Sequence, residues 1–195
     1  MIRFLGLLAL VLTLPLAHAQ ETLSLGTPVP LASQSFDTAS GGTQTLEAAM
    51  GESGLAVVFW STACPWTRRY EARLAQMTAD AIENGIGFVL VASSDPERSS
   101  SDTPEALAAV SASIGAPLFL DSEAALAEAF GATQTPEAFF FGSTLLYTGA
   151  IDDSPSNAER VTIPFLQQAM DQHLAGQAVE IEQTTPFGCT LKRDR

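Results

Sequence analysis

Cys64 stands where a side chain is readily made reactive. It follows the apolar run Leu55-Ala56-Val57-Val58-Phe59-Trp60 by four residues and is followed at once by Pro65, the residue type favoured in the first turn of a helix. A thiol between the carboxyl end of a buried strand and the start of a helix meets unpaired N–H groups and the positive end of the helix dipole, which favour thiolate. Arg68 and Arg69, one turn further on, add cationic potential and are the expected thiolate-stabilising residues. The chemistry this predicts is that of a nucleophilic sulfur, with a thiol pKa below the free value of about 8.5.

The other cysteine is Cys189. Its segment, 177–195, contains Pro186 and Gly188 and has no strong periodicity, so an extended tail able to lie over the domain is expected. The pair supports two readings that share one bond. As a structural staple, a Cys64–Cys189 bridge closes a long loop and restricts the unfolded chain by up to about 5 kcal/mol. As a catalytic pair, Cys189 resolves whatever Cys64 forms.

The elements that must position Cys64 are legible around it. Leu55–Trp60 and Ile86–Ala92 are continuous apolar runs of strand length, the pattern of strands covered on both faces. Between them Trp66, Tyr70, Leu74, Met77 and Ala81 fall on one stripe of a helix with a 3.6-residue period. Strand, helix, strand is a right-handed crossover in nearly all cases. Helices are expected at Ala106–Ile114 and Ala124–Phe130, started by Asp102-Thr103-Pro104-Glu105 and by Asp121-Ser122-Glu123. Ala138–Phe141 and Leu145–Thr148, joined by Gly142-Ser143-Thr144, suit an antiparallel hairpin. A last helix runs from Pro164 to Gly176, and a small leading hairpin is read from Leu31–Phe36 and Thr43–Leu46 around Ser40-Gly41-Gly42. The acidic, serine-rich stretch Ser93–Thr103 has the composition of a solvated linker.

Composition narrows the partners. With 195 residues, 46% of them apolar and only 16% charged, the chain is expected to form one globular domain. A net charge of -13 repels phosphate backbones and anionic membrane surfaces, which excludes nucleic acid as an expected partner. Arg3, the apolar run Phe4–Leu16 and Ala17-His18-Ala19 read as a secretory signal peptide cleaved before Gln20. That run is shorter than the ~20 residues a spanning helix needs, so the chain is not read as an integral membrane protein. Export, most simply to a periplasm, suits a disulfide. The expected division is a signal peptide at 1–19, a domain at 20–176 and the Cys189 tail at 177–195. Of the two histidines only His173 follows residue 19, which leaves no material for a zinc or copper site or a Ser-His-Asp relay. No metal or cofactor is implied.

Phe59-Trp60-Ser61-Thr62-Ala63-Cys64-Pro65-Trp66-Thr67 and Gly131-Ala132-Thr133-Gln134-Thr135-Pro136 together resemble the thioredoxin-fold redoxins of the peroxiredoxin-like, alkyl hydroperoxide reductase/thiol-specific antioxidant superfamily. The resemblance covers nearly the whole chain after residue 19. It implies an α/β protein of thioredoxin-like fold: a central mixed sheet with helices on both faces, an N-terminal hairpin and inserted helices. It matches Cys64 to the nucleophilic cysteine and sets Thr67 where a second CxxC cysteine would stand. Pro136 falls on the family's cis-proline, beside the reactive sulfur. Trp66, Thr67, Thr135 and Pro136 are therefore the expected substrate-binding residues. A cis bond would leave the Thr135 backbone free to pair with an extended substrate.

Two further segments resemble a subgroup with one active-site cysteine and a Gly-Cys tail: Cys64-Pro65-Trp66-Thr67-Arg68-Arg69-Tyr70-Glu71-Ala72-Arg73 and Thr185-Pro186-Phe187-Gly188-Cys189-Thr190-Leu191-Lys192. Departures limit what carries over. In the peroxidatic pattern Pro-x-x-x-Thr/Ser-x-x-Cys the serine is present as Ser61, but Val57 occupies the proline place. The peroxide-binding arginine has no matched position, with Arg98 and Arg160 as candidates only by elimination.

The function this reading predicts is exported thiol-disulfide exchange or peroxide reduction by Cys64, resolved by Cys189. The expected partners are an external dithiol reductant or a disulfide-bearing substrate protein, with a hydroperoxide as the other oxidant. The rival is a catalytically idle thioredoxin-fold binding module in which the two cysteines form a staple.

Overall fold

The computed structural model describes residues 23–95 and 97–192; the signal peptide expected at 1–19 lies outside the described residues. β1 (Ser35–Thr38) and β2 (Thr43–Thr45) form the leading hairpin, with Gly41 and Gly42 at positive φ in its turn. Leu46, expected in the second strand, instead opens the single-turn α1 (Leu46–Ala49), because the Thr45 side chain accepts from Ala48 N and caps it.

β3 (Gly54–Phe59) and β4 (Ile86–Ala92) pair in parallel, joined by α2 (Pro65–Glu83). α3 (Pro104–Ile114) starts at the Thr103 cap and ends at Gly115, whose φ of 78° an L side chain resists. A three-residue strand that no periodicity announced, β5 (Leu118–Leu120), follows. It pairs in parallel with β4 and antiparallel with β1, and so attaches the hairpin to the sheet.

α4 (Ala125–Phe130) is followed by β6 (Gln134–Thr135), β7 (Glu137–Phe141), β8 (Leu145–Gly149), α5 (Phe165–Leu174) and β9 (Cys189–Thr190). The main sheet is ordered β2-β1-β5-β4-β3-β7-β8. It is mixed, since β7 runs antiparallel to both β3 and β8. This is the thioredoxin-like α/β fold that the resemblance implied.

Period-2 alternation along β3 divides the core. Ala56 and Val58, with Trp60 beyond the strand, pack against Tyr70 and Leu74 of α2, Leu107 of α3 and Leu166 of α5. Leu55, Val57 and Phe59 pack on the opposite face against Leu46, Leu126 and Phe130. With both faces covered, every residue of β3 is buried, and the strand has no solvated side to break its apolar run. Its carboxyl end leads into the loop that holds Cys64.

The tail is docked. Thr148 N donates to Glu182 O and Thr184 N to Thr148 O, both at 3.0 Å, which lays the chain along the free edge of β8. β9 then forms a second small sheet with β6.

Candidate active site

The loop between β3 and α2 is held by a carboxylate from elsewhere in the chain. Asp102 is buried just before α3 and receives four bonds. Its Oδ2 accepts from Ser61 Oγ (2.7 Å) and Ser99 Oγ (2.5 Å), and its Oδ1 from Thr62 N and Thr62 Oγ1 (both 2.6 Å). The composition of Ser93–Thr103 predicts a solvated linker, and the structure corrects that: Ser93, Ser94, Ser99 and Asp102 are all buried. The Ser93 and Ser99 hydroxyls are internal donors. Ser93 Oγ donates to Asp121 Oδ2 (2.6 Å), and Asp121 also accepts from Leu126 N and Ala127 N at the start of α4. Composition alone does not distinguish a serine facing water from one facing a buried carboxylate.

Cys64 occupies the N-cap position of α2, with Pro65 at the first helical position. Its side chain is 2% exposed and is joined to Cys189, with Cα atoms 5.9 Å apart across a sequence separation of 125, within bridging distance. The Thr135-Pro136 peptide is cis, and the Thr135 carbonyl oxygen lies 3.0 Å from Cys64 Sγ. Buried Glu137 shapes this turn by accepting from Thr133 N (2.8 Å) and Gln134 N (3.0 Å).

β6 and β9 pair antiparallel, with Thr135 opposite Cys189 and Gln134 opposite Thr190. A small cleft of about 100 Å³ beside the sulfurs is lined by Ser61, Ala63, Ser94, Thr135, Thr190 and Lys192. Cys64, Cys189, Thr135 and Pro136 thus meet in one place, although they come from three separate stretches of chain.

The other expected site residues are placed differently. Thr67 is fully buried, its hydroxyl turned onto the carbonyls of Ser61 (2.6 Å) and Cys64 (2.7 Å), so it braces the helix start from inside. Trp66 is half-buried and meets the tail's Phe187 edge-to-face at 4.8 Å. Arg69 stacks over Trp66 at 5.4 Å and donates to Ser156 O. Arg68 is exposed. The cation among the described residues lining the cleft is Lys192, which the sequence reading noted only as part of the tail motif.

Tyr70 and Arg73, further along the same motif, act on another loop. Tyr70 Oη donates to Asp152 Oδ1 (2.8 Å), and Arg73 pairs with Asp152 and donates to the carbonyls of Ser154 and Pro155. Burial, and then Asp152 accepting its proton, push the Tyr70 phenol well above the ordinary range. Among the described residues no group of three or more His, Cys, Asp or Glu side chains could hold a metal ion. No helix among them is long and apolar enough to cross a membrane.

Residues 25–151 match the model of the AhpC/TSA family. A hypothetical protein from Sinorhizobium meliloti 1021 superposes with a TM-score of 0.80 at 29% identity, over 89% of this chain and 97% of that one. An uncharacterized conserved protein from Geobacillus kaustophilus gives 0.80 at 27% identity, over 88% and 93%. Peroxiredoxin Q from Xanthomonas campestris, at 16% identity and a TM-score of 0.50 over 78% and 94% of the two chains, shares the fold alone. A comparison with curated proteins finds no match.

Proposed function

The chain belongs to the AhpC/TSA family, and from that premise we propose that it is an exported thiol-dependent oxidoreductase with Cys64 as nucleophile and Cys189 as resolving thiol. The observation that carries this is the pairing itself: a cysteine 125 residues away is brought onto Cys64 at the strand-to-helix junction, on a strand laid against the loop of the cis-proline. Residues 1–19 serve as the export signal, 20–176 as the redox domain and 177–195 as the arm that presents Cys189.

In the exchange reaction the Cys64 thiolate attacks a substrate disulfide, forming a mixed disulfide and releasing one substrate thiolate. The Cys189 thiolate then attacks Cys64 Sγ, which frees the second substrate thiolate and closes the Cys64–Cys189 bond. An external dithiol returns the two electrons. The α2 N-terminus favours the Cys64 thiolate, while the Thr135 carbonyl oxygen 3.0 Å away disfavours it and favours the neutral or bonded sulfur. That opposition suits a sulfur that alternates between the two states.

The family match supports hydroperoxide as the alternative oxidant. In that case Cys64 takes one oxygen from the peroxide, releasing an alcohol or water, and the sulfenic acid condenses with Cys189 with loss of water.

The test mixes the reduced protein with a small aromatic disulfide or with a hydroperoxide and follows thiol loss. Loss of both thiols per chain, at a rate well above that of free cysteine, is expected with at least one oxidant. The Cys189→Ser chain should halt at the mixed disulfide or sulfenic acid. A Cys64 no faster than free cysteine towards either oxidant refutes the proposal and leaves a binding module with a staple.

A further inference from the structure

The tail does more at β6 than deliver a sulfur. Leu191 N donates to Thr133 O at 2.9 Å, and the two-residue β6–β9 pairing puts an extended strand on an otherwise open edge. Gly188 lies so close to that edge that a Cβ on it would stand 2.1 Å from Thr135 O and 3.0 Å from Pro136 N. These are backbone atoms with no freedom to retreat. Gly188 is also absent from the glycines at positive φ, so it is glycine for want of space and not for conformation.

On one side of this close approach Phe187, 49% exposed, rests against Trp66. On the other, Leu191 is 6% exposed among the side chains of the α4 face of the core. The edge thus offers an aromatic wall, a position that tolerates only glycine, the reactive sulfur and an apolar pocket, in that order along one strand.

We propose that this edge is a polypeptide-binding groove that reads the pattern aromatic-Gly-Cys-x-aliphatic, and that the chain's own tail is its resident occupant. The substrate class is an extended segment of another protein carrying that pattern with its cysteine in a disulfide, which the Cys64 thiolate attacks with release of the partner thiolate. It takes the tail's place once the Cys64–Cys189 bond has opened. This rests on Cys64 being the nucleophile and adds to it the specificity of the groove.

The test uses the full-length Cys189→Ser chain and the synthetic peptide Pro-Phe-Gly-Cys-Thr-Leu, activated as its mixed disulfide with thionitrobenzoate. Attack by the Cys64 thiolate joins peptide to protein and releases thionitrobenzoate, whose absorbance gives the rate. Two further peptides replace the glycine by alanine or the leucine by aspartate, and the symmetrical aromatic disulfide of the same reagent reports intrinsic sulfur reactivity. The parent peptide is expected to react at least tenfold faster than either variant peptide. Equal peptide rates alongside rapid reaction with the small disulfide overturn the groove and leave the nucleophile intact. No reaction with the small disulfide overturns the nucleophile, and the groove falls with it. Should Cys189→Ser not fold, the reduced wild-type chain is assayed in the same way from the initial rate of thionitrobenzoate release, the Cys64–Cys189 bond closing afterwards and freeing the peptide.

Discussion

Replacing Asp102 tests how the Cys64 loop is held. Its carboxylate receives four donors from Ser61, Thr62 and Ser99 in a buried setting, and hydrogen bonds to a charged group contribute about 1.5–3 kcal/mol each. In Asp102→Ala the hydroxyls can turn elsewhere, Thr62 Oγ1 towards the Ser101 carbonyl that it already contacts. The Thr62 N–H cannot turn, because the backbone fixes it. The expected loss is therefore more than one such bond and less than four, about 3–4 kcal/mol.

Asp102→Asn is a sharper probe. Its remaining oxygen can still accept from Thr62, and its amide can donate to Ser61 and Ser99 once those hydroxyls rotate to accept, so it should cost only about 1 kcal/mol. The assay is denaturant unfolding of the oxidised protein at neutral pH, with the alkylation rate of Cys64 in the reduced protein as the second readout. Alanine, but not asparagine, should change that rate, because only alanine frees the loop that carries the sulfur. If alanine costs less than about 1 kcal/mol, or the two variants are equal in both readouts, the anchoring argument is wrong.

Three other outcomes follow from the same geometry. Cys189→Ser should lower stability by at most about 5 kcal/mol, the chain-entropy ceiling for so long a loop, and should leave the domain folded by circular dichroism. Complete unfolding would show the bond to be a staple. Tyr70 and Tyr147 are the chain's two tyrosines and both are raised above the ordinary phenol value, chiefly by burial. The folded state therefore keeps protons that the unfolded state sheds above about pH 10, and stability should fall as the pH rises past that point. Tyrosinate absorbance should then appear only together with unfolding, and a separate earlier transition would contradict the buried placement. Phe130→Ala removes a fully buried ring that meets Phe59, Phe139 and Phe141 edge-to-face; calorimetry should show a loss of about 3–5 kcal/mol.

What was legible in the sequence is what depends on neighbours along the chain. β3 and β4 were recognisable as continuous apolar runs, the Tyr70-Leu74-Met77-Ala81 stripe of α2 by its helical period, and the β7–β8 hairpin by two apolar segments around Gly142-Ser143-Thr144, since burial on one face or two leaves its mark residue by residue. Cys64 at a helix start was legible for the same local reason, and the Thr-Pro pair before a strand carried the resemblance. Only the tertiary structure decided which distant groups face one another. It set Asp102 under the Cys64 loop, turned Thr67 inward, directed Arg69 to Ser156 and Trp66, and left Lys192 beside the sulfurs. β5, three residues long, exists because β4 and β1 offer it edges on both sides. Glycine at 188 has no local cause, since its φ is not positive; the cause is the Thr135 carbonyl, 53 positions earlier in the chain and 2.1 Å from where a Cβ would be. Contacts of this kind are formed between segments that packing brings together, and no periodicity in either segment records them.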